Sequence, residues 1–388
     1  MARELAVTLY LLVFTVLFRI CKLCSLENKV VFVVSFSENN KRIHDEMVRQ
    51  DLSCRTVFLT TDKMFKVFSN RKNATTLVFE IKKPLHFVRS IFHLATSKVV
   101  FVDNYYGFLA KTEFKKGVEC VQIWHANGAV KKFGFEDPSI QKRSERAIFR
   151  FGRVYSRFTK VLIGSDSMGD IYKKAFRTAD EVLVKTGIPR TDVFFDTVKR
   201  DILKKKFFEQ YPEFQRKKIL LYAPTYRESD LSRFNMLLDV KMLMNSLSED
   251  YVLLVKLHPA ISDRFDLAGV DDRVMDVSHH HNLNHLLFVA DLLITDYSSI
   301  PFEYSLLNRP IVFFFPDFEA YKKERGVWKE FESDLPGPVA STTEQVYEII
   351  RDGVYDLDKV EGFAHKWNEY SRGSSSKNVV EMIKYSIK

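Results

Sequence analysis

The chain has 388 residues, a formal net charge of +9 and 46% hydrophobic residues. This length exceeds one ordinary domain and fits two domains of roughly 150–200 residues each. The basic charge favours an anionic partner such as a nucleic acid, an anionic lipid or a phosphorylated substrate. The sequence carries no Walker-type phosphate loop and no strand-linked dinucleotide-binding glycine motif, which argues against a P-loop ATPase or a dinucleotide oxidoreductase.

The first predicted element is an apolar stretch from Leu5 to Phe18. Fourteen helical residues reach about 21 Å, which is short of the roughly 30 Å hydrocarbon core of a bilayer. No small-residue cleavage site follows the stretch, so we do not expect a removed signal peptide. We expect residues 1–26 to form a helix that contacts the membrane without fully crossing it. A short signal anchor and a buried first helix are the alternatives.

Buried strands alternate with helices along the rest of the chain, which predicts an α/β fold with parallel sheets. In the first half the predicted strands are Val30–Phe36, Arg55–Leu59, Thr76–Phe79, Val99–Val102, Val118–Ile123 and Lys160–Ile163. In the second half they are Ile219–Ala223, Val252–Leu257, Arg273–Val277, Asp291–Thr295 and Ile311–Phe315. We place the junction near residues 185–200, which divides the chain into domains at 27–190 and 191–388.

A basic segment lies between residues 142 and 160, with seven basic residues and one acid. Arg146, Arg150, Arg153 and Arg157 recur every three or four residues, so they would share one face of a helix. A basic amphipathic helix of this kind is typical of contact with an anionic membrane surface. A solvated helix packed on the domain fits the same pattern.

Four polar loops each follow a predicted strand, at the edge of a parallel sheet where ligands bind. His125 in the first loop is suited to taking a proton from an attacking hydroxyl. Arg227 in the second can bind a phosphate bidentately, and His258 in the third can donate to a diphosphate. In the fourth, Ser298 or Ser299 can cap a helix whose N-terminus would bind phosphate. Taken singly, each loop also fits a purely structural role.

Two groups of potential metal ligands are too incomplete to predict a metal site. Cys21 and Cys24 form a C-x-x-C pair without a second pair. The histidines His279, His280 and His281 are adjacent, so they cannot all face one ion on a regular element. We therefore predict no bound metal.

Together these motifs resemble the CDP-glycerol glycerophosphotransferase family of wall teichoic acid synthesis. The matching pieces are Trp-His at 124–125, Pro-Thr-Tyr-Arg at 224–227, Lys-x-His-Pro at 256–259, Thr-Asp-Tyr-Ser-Ser at 295–299 and Arg-Gly at 325–326. The resemblance implies a glycosyltransferase-B-like fold in which two Rossmann-like domains face a cleft. The N-terminal domain would face the membrane and the acceptor, and the C-terminal domain would bind CDP-glycerol.

Within the family, two details favour the enzyme that adds the first glycerol phosphate to undecaprenyl-diphosphate-linked N-acetylmannosaminyl-N-acetylglucosamine. Polymerases of the family usually carry Gly directly after the His, whereas here Ala126 and Asn127 come first. The second detail is the segment Pro-Gly-Pro-Val at 336–339. The resemblance thus implies priming at the cytoplasmic face of the cell membrane, with CMP released.

The resemblance also implies roles for individual residues. His125 would deprotonate the acceptor hydroxyl and His258 would act on the donor diphosphate, both as catalytic residues. The implied donor-binding residues are Asn127, Gly128, Arg190, Pro224, Thr225, Arg227, Lys256, Asp276, Asp296, Ser298, Ser299 and Glu303. The implied site residues require no cofactor, although Mg²⁺ from solution could assist the reaction. The implied partners are CDP-glycerol, the lipid-linked disaccharide and anionic membrane lipid, and no nucleic acid.

Three alternatives stay open. One is a glycerol- or ribitol-phosphate polymerase of the same family. Another is a nucleotide-sugar glycosyltransferase or epimerase on the same fold, which would release UDP from UDP-sugars rather than CMP from CDP-glycerol. The third is a non-catalytic membrane-bound binding protein, in which replacing His125 would change no activity.

Overall fold

The computed structural model describes residues 2–225, 227, 236–258, 261, 271–279 and 282–387. The chain forms two compact units. Unit 1 comprises Met1–Asn127, Phe133–Asp192 and Glu369–Lys388, and unit 2 comprises Gly128–Lys132 and Val193–Asn368. Each unit is built on one parallel β-sheet.

The strands are short and mostly buried, as expected for parallel sheets covered by helices. In chain order they are β1 (Glu27–Val34), β2 (Arg55–Thr60), β3 (Ala74–Val78), β4 (Ser97–Val102), β5 (Glu119–Gln122), β6 (Lys160–Leu162), β7 (Leu183–Val184), β8 (Lys218–Ala223), β9 (Tyr251–Val255), β10 (Val274–Asp276), β11 (Leu292–Thr295), β12 (Ile311–Phe314) and β13 (Val339–Ala340). Each predicted strand overlaps an observed one. The two-residue strands β7 and β13 were not predicted, because so short a segment carries no alternating or apolar pattern.

Helices connect the strands. In chain order they are α1 (Ala2–Cys21), α2 (Glu38–Arg49), α3 (Asp62–Phe68), α4 (Pro84–Ala95), α5 (Glu145–Tyr155), α6 (Asp166–Phe176), α7 (Thr197–Gln210), α8 (Val240–Ser246), α9 (Leu283–Val289), α10 (Ile300–Tyr304), α11 (Phe318–Arg325), α12 (Lys329–Glu332), α13 (Thr343–Asp352), α14 (Leu357–Trp367) and α15 (Ser375–Lys384).

The strand order creates a switch point in each sheet. Over the described residues, the order is β3-β2-β1-β4-β5-β6-β7 in unit 1 and β10-β9-β8-β11-β12-β13 in unit 2. The order therefore reverses between β1 and β4 in unit 1, and between β8 and β11 in unit 2. In open parallel sheets the loops at the carboxyl ends of such a pair diverge and leave a crevice for ligands.

Helix α1 lies within the predicted range of residues 1–26. It has 20 residues and so reaches about 30 Å, which exceeds the 21 Å of the apolar stretch alone. Residues 4–21 are long and apolar enough to cross a membrane by length and composition. One face of α1 packs in unit 1, where the Phe14 ring lies 5.2 Å from the Phe108 ring. Leu9 and Leu12 on α1 are exposed.

The basic helix ends earlier than predicted. Helix α5 stops at Tyr155, so Arg157 lies beyond it and the predicted four-arginine face is not continuous. The chain turns there because Phe158 is buried and β6 begins two residues later. The arginines are also paired: Arg150 donates to both carboxylate oxygens of Glu4 at 3.1 Å.

The other arginines of the predicted face differ in exposure. Arg153 and Arg157 lie 3.7 Å and 4.0 Å from the carboxylate of Glu113. Arg146 is exposed. Membrane or acceptor contact by these four side chains stays a prediction.

The end of the chain returns to unit 1. Ile383 on α15 packs in the same core as Ile43 on α2. The carboxylate of Asp192 accepts hydrogen bonds from the backbone N–H groups of Ser375 and Ser376, each at 2.8 Å. A division into 27–190 and 191–388 therefore differs from the compact units, in which residues 369–388 join the N-terminal sheet.

Candidate active site

His125 stands on the loop after β5, at the carboxyl edge of the unit 1 sheet. The preceding residue, Trp124, has a left-handed backbone with φ of 47°, a conformation that costs about 1–3 kcal/mol for a bulky residue. Asn39 on α2 holds this turn, since its Nδ2 donates to the carbonyls of Ile123 and Trp124, both at 3.0 Å. Arg190 Nη1 donates to the His125 carbonyl at 2.6 Å. Neighbouring side chains thus keep a strained turn in place.

The imidazole of His125 is held in one tautomer. Its ring stacks on Phe36 with centroids 4.2 Å apart and on Trp124 with centroids 4.4 Å apart. Its Nδ1 lies 3.0 Å from the backbone carbonyl oxygen of Asp103. Because a carbonyl can only accept, Nδ1 carries the proton and Nε2 keeps its lone pair. Burial lowers the pKa of His125 to about 4, so the ring is neutral at pH 7.

Asp103 joins the two loops at the switch point of unit 1. Its carboxylate accepts hydrogen bonds from the backbone N–H of Phe36 at 2.8 Å, from Asn40 Nδ2 at 2.8 Å and from the Tyr106 hydroxyl at 2.6 Å. Burial nevertheless raises its pKa to about 6. Sequence reasoning missed Asp103. It follows a predicted strand directly, so the strand-end rule that selected His125 would have found it.

In unit 2, Arg227 is engaged by two carboxylates. Its Nε and Nη2 donate to Asp317 at 2.8 Å and 2.9 Å, and its Nη1 donates to Asp296 at 2.9 Å. Thr225, after β8, donates its backbone N–H to Asp296, after β11, at 2.7 Å. The cluster lies at the carboxyl edge of the unit 2 sheet, at the β8/β11 switch point. A donor diphosphate at Arg227 would have to share or displace these carboxylates.

Lys131 adds a cation to this cluster that sequence reasoning did not assign. The segment 128–132 belongs to unit 2, where Lys131 forms an antiparallel bridge with Val327. The Lys131 ammonium lies 5.8 Å from the ring centroid of Tyr321, which stacks on Tyr297 at 3.7 Å. Burial lowers the pKa of Lys131 to about 8, and the nearby Asp296 carboxylate opposes that shift. Lys131 therefore titrates close to physiological pH.

Asp317 was also missed, although it has a sequence signal. It lies just past β12, in the same kind of strand-end position as Asp296. Besides binding Arg227, it accepts a hydrogen bond from the Tyr297 hydroxyl at 3.0 Å. The polar residues that follow β8, β11 and β12 therefore meet in one hydrogen-bonded cluster.

The loop after β11 differs from the predicted helix N-terminus. Ser298 Oγ accepts a hydrogen bond from the backbone N–H of Ile300 at 3.3 Å and lies 3.0 Å from Thr295 Oγ1. Ser299 is the N-cap residue but makes no side-chain cap bond. Helix α10 has only five residues, so its dipole is weaker than that of a longer helix. Glu303, one turn inside α10, is buried.

Lys256 and Asp276 come together at the ends of β9 and β10. Lys256 Nζ donates to the Ser278 carbonyl at 2.5 Å, and the Ser278 N–H donates to Asp276 at 2.8 Å. His258, two residues after Lys256, is exposed. Pro259 and the histidines at 280 and 281 lie outside the described residues, so the absence of a metal there stays a prediction.

Three further predicted residues have structural surroundings. Asn127 is buried in unit 1. A Cβ on Gly128 would lie 2.4 Å from the Phe302 ring, so packing alone requires glycine there. Pro224 is half-buried directly after β8. In total, the structure places His125, Asn127 and Arg190 in unit 1 and the other predicted donor-site residues in unit 2.

The chain is similar to known proteins along most of its length. A sequence profile described as CDP-Glycerol:Poly(glycerophosphate) glycerophosphotransferase matches residues 16–385. The chain is 36% identical over 361 residues to the teichoic acid glycerol-phosphate primase of Bacillus subtilis (strain 168), covering 93% of each protein. It is 32% identical over 354 residues to the teichoic acid ribitol-phosphate primase of Bacillus spizizenii, covering 89% of this chain and 87% of that one.

The fold has a solved counterpart. The wall teichoic acid polymerase TagF matches with a TM-score of 0.80 at 21% identity, over 100% of this chain and 98% of that one. This likeness, with the two parallel sheets, confirms the predicted α/β fold of glycosyltransferase-B-like type.

Proposed function

The chain belongs to the CDP-glycerol:poly(glycerophosphate) glycerophosphotransferase family, and on that basis we propose that it catalyses the priming step of teichoic acid linkage-unit synthesis. In this reaction glycerol phosphate passes from CDP-glycerol to undecaprenyl-diphosphate-linked N-acetylmannosaminyl-N-acetylglucosamine, and CMP is released. Family membership makes the chain a transferase. The similarity to a glycerol-phosphate primase along nearly its full length supports the priming step.

The contact between His125 Nδ1 and the backbone carbonyl of Asp103 is the observation that carries the proposal. With Nδ1–H bound to the Asp103 carbonyl, Nε2 can accept the proton of the acceptor hydroxyl as its oxygen attacks the β-phosphorus of the donor. A pKa near 4 makes the free histidine a weak base. An anionic donor nearby would stabilise the imidazolium and raise that pKa as the reaction proceeds.

In unit 2 the proposed donor site uses cations and hydroxyl-binding carboxylates. Lys131 and Arg227 would stabilise the charge that develops on the phosphoryl oxygens and on the departing CMP. Asp276, held beside Lys256, would accept hydrogen bonds from ribose or glycerol hydroxyls. The proposal includes no required metal, so we expect transfer to persist in EDTA.

We further propose that the enzyme contacts the cytoplasmic face of the cell membrane through α1. The packed face of this helix is buried in unit 1, whereas Leu5, Leu9 and Leu12 are exposed by 59–72%. An apolar helix face of this kind is suited to the boundary between lipid headgroups and acyl chains. The exposed Arg146 on α5 would add attraction to anionic lipid.

The proposal is tested by incubating the full chain with CDP-glycerol and the lipid-linked disaccharide and determining the product by mass spectrometry. We expect one glycerol phosphate per acceptor and one CMP per transfer. A product with many units would instead identify a polymerase. Release of UDP from a UDP-sugar, without use of CDP-glycerol, would support a glycosyltransferase or epimerase.

A further inference from the structure

A cavity of about 660 Å³ lies within unit 1, beside the loops that hold His125. It is bounded by the carboxyl ends of β1 and β2, by α1 and by the start of α5. Its apolar lining includes Tyr10, Leu11, Phe79, Phe108 and Phe151. This volume lies in the range of about 300–1,000 Å³ that is usual for small-molecule sites.

Charged side chains also line the cavity. They are Glu4, Lys142, Arg143 and Arg150. Because Arg150 binds Glu4 through two hydrogen bonds, those two charges compensate each other. Lys142 and Arg143 are exposed and give the cavity lining a net positive charge. An apolar cavity with exposed cations in its lining fits an amphiphile with an anionic head.

The position of α1 connects the cavity with the proposed membrane surface. Tyr10 and Leu11 of α1 line the cavity, whereas the neighbouring residues Leu9 and Leu12 are exposed. One helix thus supplies both a cavity wall and an outward apolar face. A lipid could enter the cavity beside α1 without its apolar chain crossing open water.

Tyr106 connects the cavity with the proposed base. Its side chain lines the cavity, and its hydroxyl donates to the Asp103 carboxylate at 2.6 Å. The backbone carbonyl of the same Asp103 accepts the Nδ1–H of His125. Tyr106 and Asp103 therefore connect the wall of the cavity with the imidazole that would act on the acceptor.

We propose that this cavity binds the isoprenoid units next to the diphosphate of a polyprenyl-diphosphate acceptor, with the diphosphate at Lys142 and Arg143. This inference rests on the proposed function and adds to it a site for the lipid part of the acceptor. A diphosphate fits two adjacent cations better than the single phosphodiester of a phospholipid headgroup does, because it carries more negative charge. The remaining isoprenoid chain stays in the bilayer.

A substitution that fills the cavity tests the proposed isoprenoid site. Gly107 lines the cavity, and a Cβ there would meet nothing within 4 Å, so Gly107→Phe projects into open space. The readout is kcat/KM for the polyprenyl acceptor divided by kcat/KM for the same disaccharide diphosphate on a short alkyl chain. We expect this ratio to fall about tenfold, as expected when the lipid loses a buried contact.

The matched control is Gly362→Phe on α14, where a Cβ also meets nothing within 4 Å. This variant should keep the wild-type ratio. If Gly107→Phe keeps the wild-type ratio as well, with an unchanged thermal midpoint, the cavity is not the lipid site.

A binding experiment tests the charged part. The double variant Lys142→Gln/Arg143→Gln should bind undecaprenyl diphosphate in detergent micelles about tenfold more weakly than wild type, because two charge-assisted contacts are lost. The control pair, Lys205→Gln/Lys206→Gln, removes two exposed cations of α7 in unit 2 and should not weaken binding. If the double variant also binds dioleoylphosphatidylglycerol about tenfold more weakly than wild type does, Lys142 and Arg143 form a general surface for anionic lipids. That result would overturn their assignment to the diphosphate.

The two proposals can fail separately. Binding of undecaprenyl diphosphate requires no transfer, so a chain that transfers nothing would refute the proposed function while the binding result still decides the cavity. Transfer with an unchanged acceptor ratio in Gly107→Phe would refute the cavity alone.

Discussion

At the scale of single residues, the chemistry of His125 depends on its neighbours. The Asp103 carbonyl selects the tautomer, burial keeps the ring neutral, and Asn39 and Arg190 hold the backbone turn. A histidine in water would exchange its proton between both nitrogens and would be partly charged near pH 6.5. The fold therefore presents one lone pair in place of a mixture of forms.

Replacing His125 by alanine should lower the transfer rate by about 10²–10⁴-fold, because proton removal from the acceptor hydroxyl loses its base. Binding of CDP-glycerol, measured by calorimetry, should change little. The control is His365→Ala, since His365 is an exposed histidine on α14. If His125→Ala transfers glycerol phosphate at the wild-type rate, another group is the base.

Lys131 should give the reaction an alkaline limit. With a pKa of about 8, its ammonium is charged below pH 8 and neutral above it. If the cation binds the donor diphosphate, kcat/KM for CDP-glycerol falls as the pH rises through about 8. Lys131→Arg keeps its charge in that range, so its kcat/KM should not fall as the pH rises through 8. Lys131→Met has no charge and should be slow at every pH. If kcat/KM of Lys131→Arg falls above pH 8 as it does in wild type, Lys131 is not the group that sets the alkaline limit.

At the scale of elements, α1 has two opposite faces, and we propose that each serves a different task. Its packed face includes Phe14 and Phe18, which are at most 2% exposed, and its outer face keeps leucines in contact with solvent. A helix that is apolar on both sides can be a core element and a membrane contact together. The two tasks should respond to different substitutions.

The double variant Leu9→Ser/Leu12→Ser should reduce sedimentation with anionic vesicles while leaving the thermal midpoint unchanged, because both side chains are exposed. Phe14→Ala should instead lower the free energy of unfolding by about 3–5 kcal/mol, since it removes a fully buried ring. Denaturant titration and vesicle sedimentation distinguish the two. Equal vesicle binding by the serine variant and wild type would rule out this face as the membrane contact.

At the scale of the whole molecule, unit 1 is assembled from distant parts of the chain. Helix α15 follows all of unit 2 in sequence and yet packs on α2. Asp192, at the end of the long unit 1 segment, holds the N-terminus of α15 through two backbone N–H groups. Unit 1 can therefore be completed only after α15 has been synthesised.

Ile383→Ala on α15 should destabilise unit 1 by about 2–5 kcal/mol, because Ile383 is fully buried in the unit 1 core. Hydrogen exchange should accelerate in peptides from β1 and α2. The control, Lys377→Ala, changes an exposed residue of the same helix and should leave exchange as in wild type. Faster exchange confined to peptides from β8 to β12 would contradict the packing of α15 in unit 1.

Local patterns in the sequence determined the strands of this protein and the polar residues at their ends. Apolar runs predicted the strands, because a buried parallel strand is apolar on both faces. Polar residues directly after those runs predicted the strand-end clusters, including His125, Thr225 and Asp296. The same patterns placed the end of α5 too late, since a helix ends where the chain must turn into the next packed element.

Only the tertiary structure decided which partners these residues meet. The tautomer of His125 depends on a carbonyl 22 residues away, and Arg227 pairs with Asp317 90 residues away. The return of α15 to unit 1 and the cavity beside α1 likewise come from long-range packing. Sequence periodicity reports which face of an element is buried, but strand order and side-chain packing decide which polar groups come within hydrogen-bonding distance.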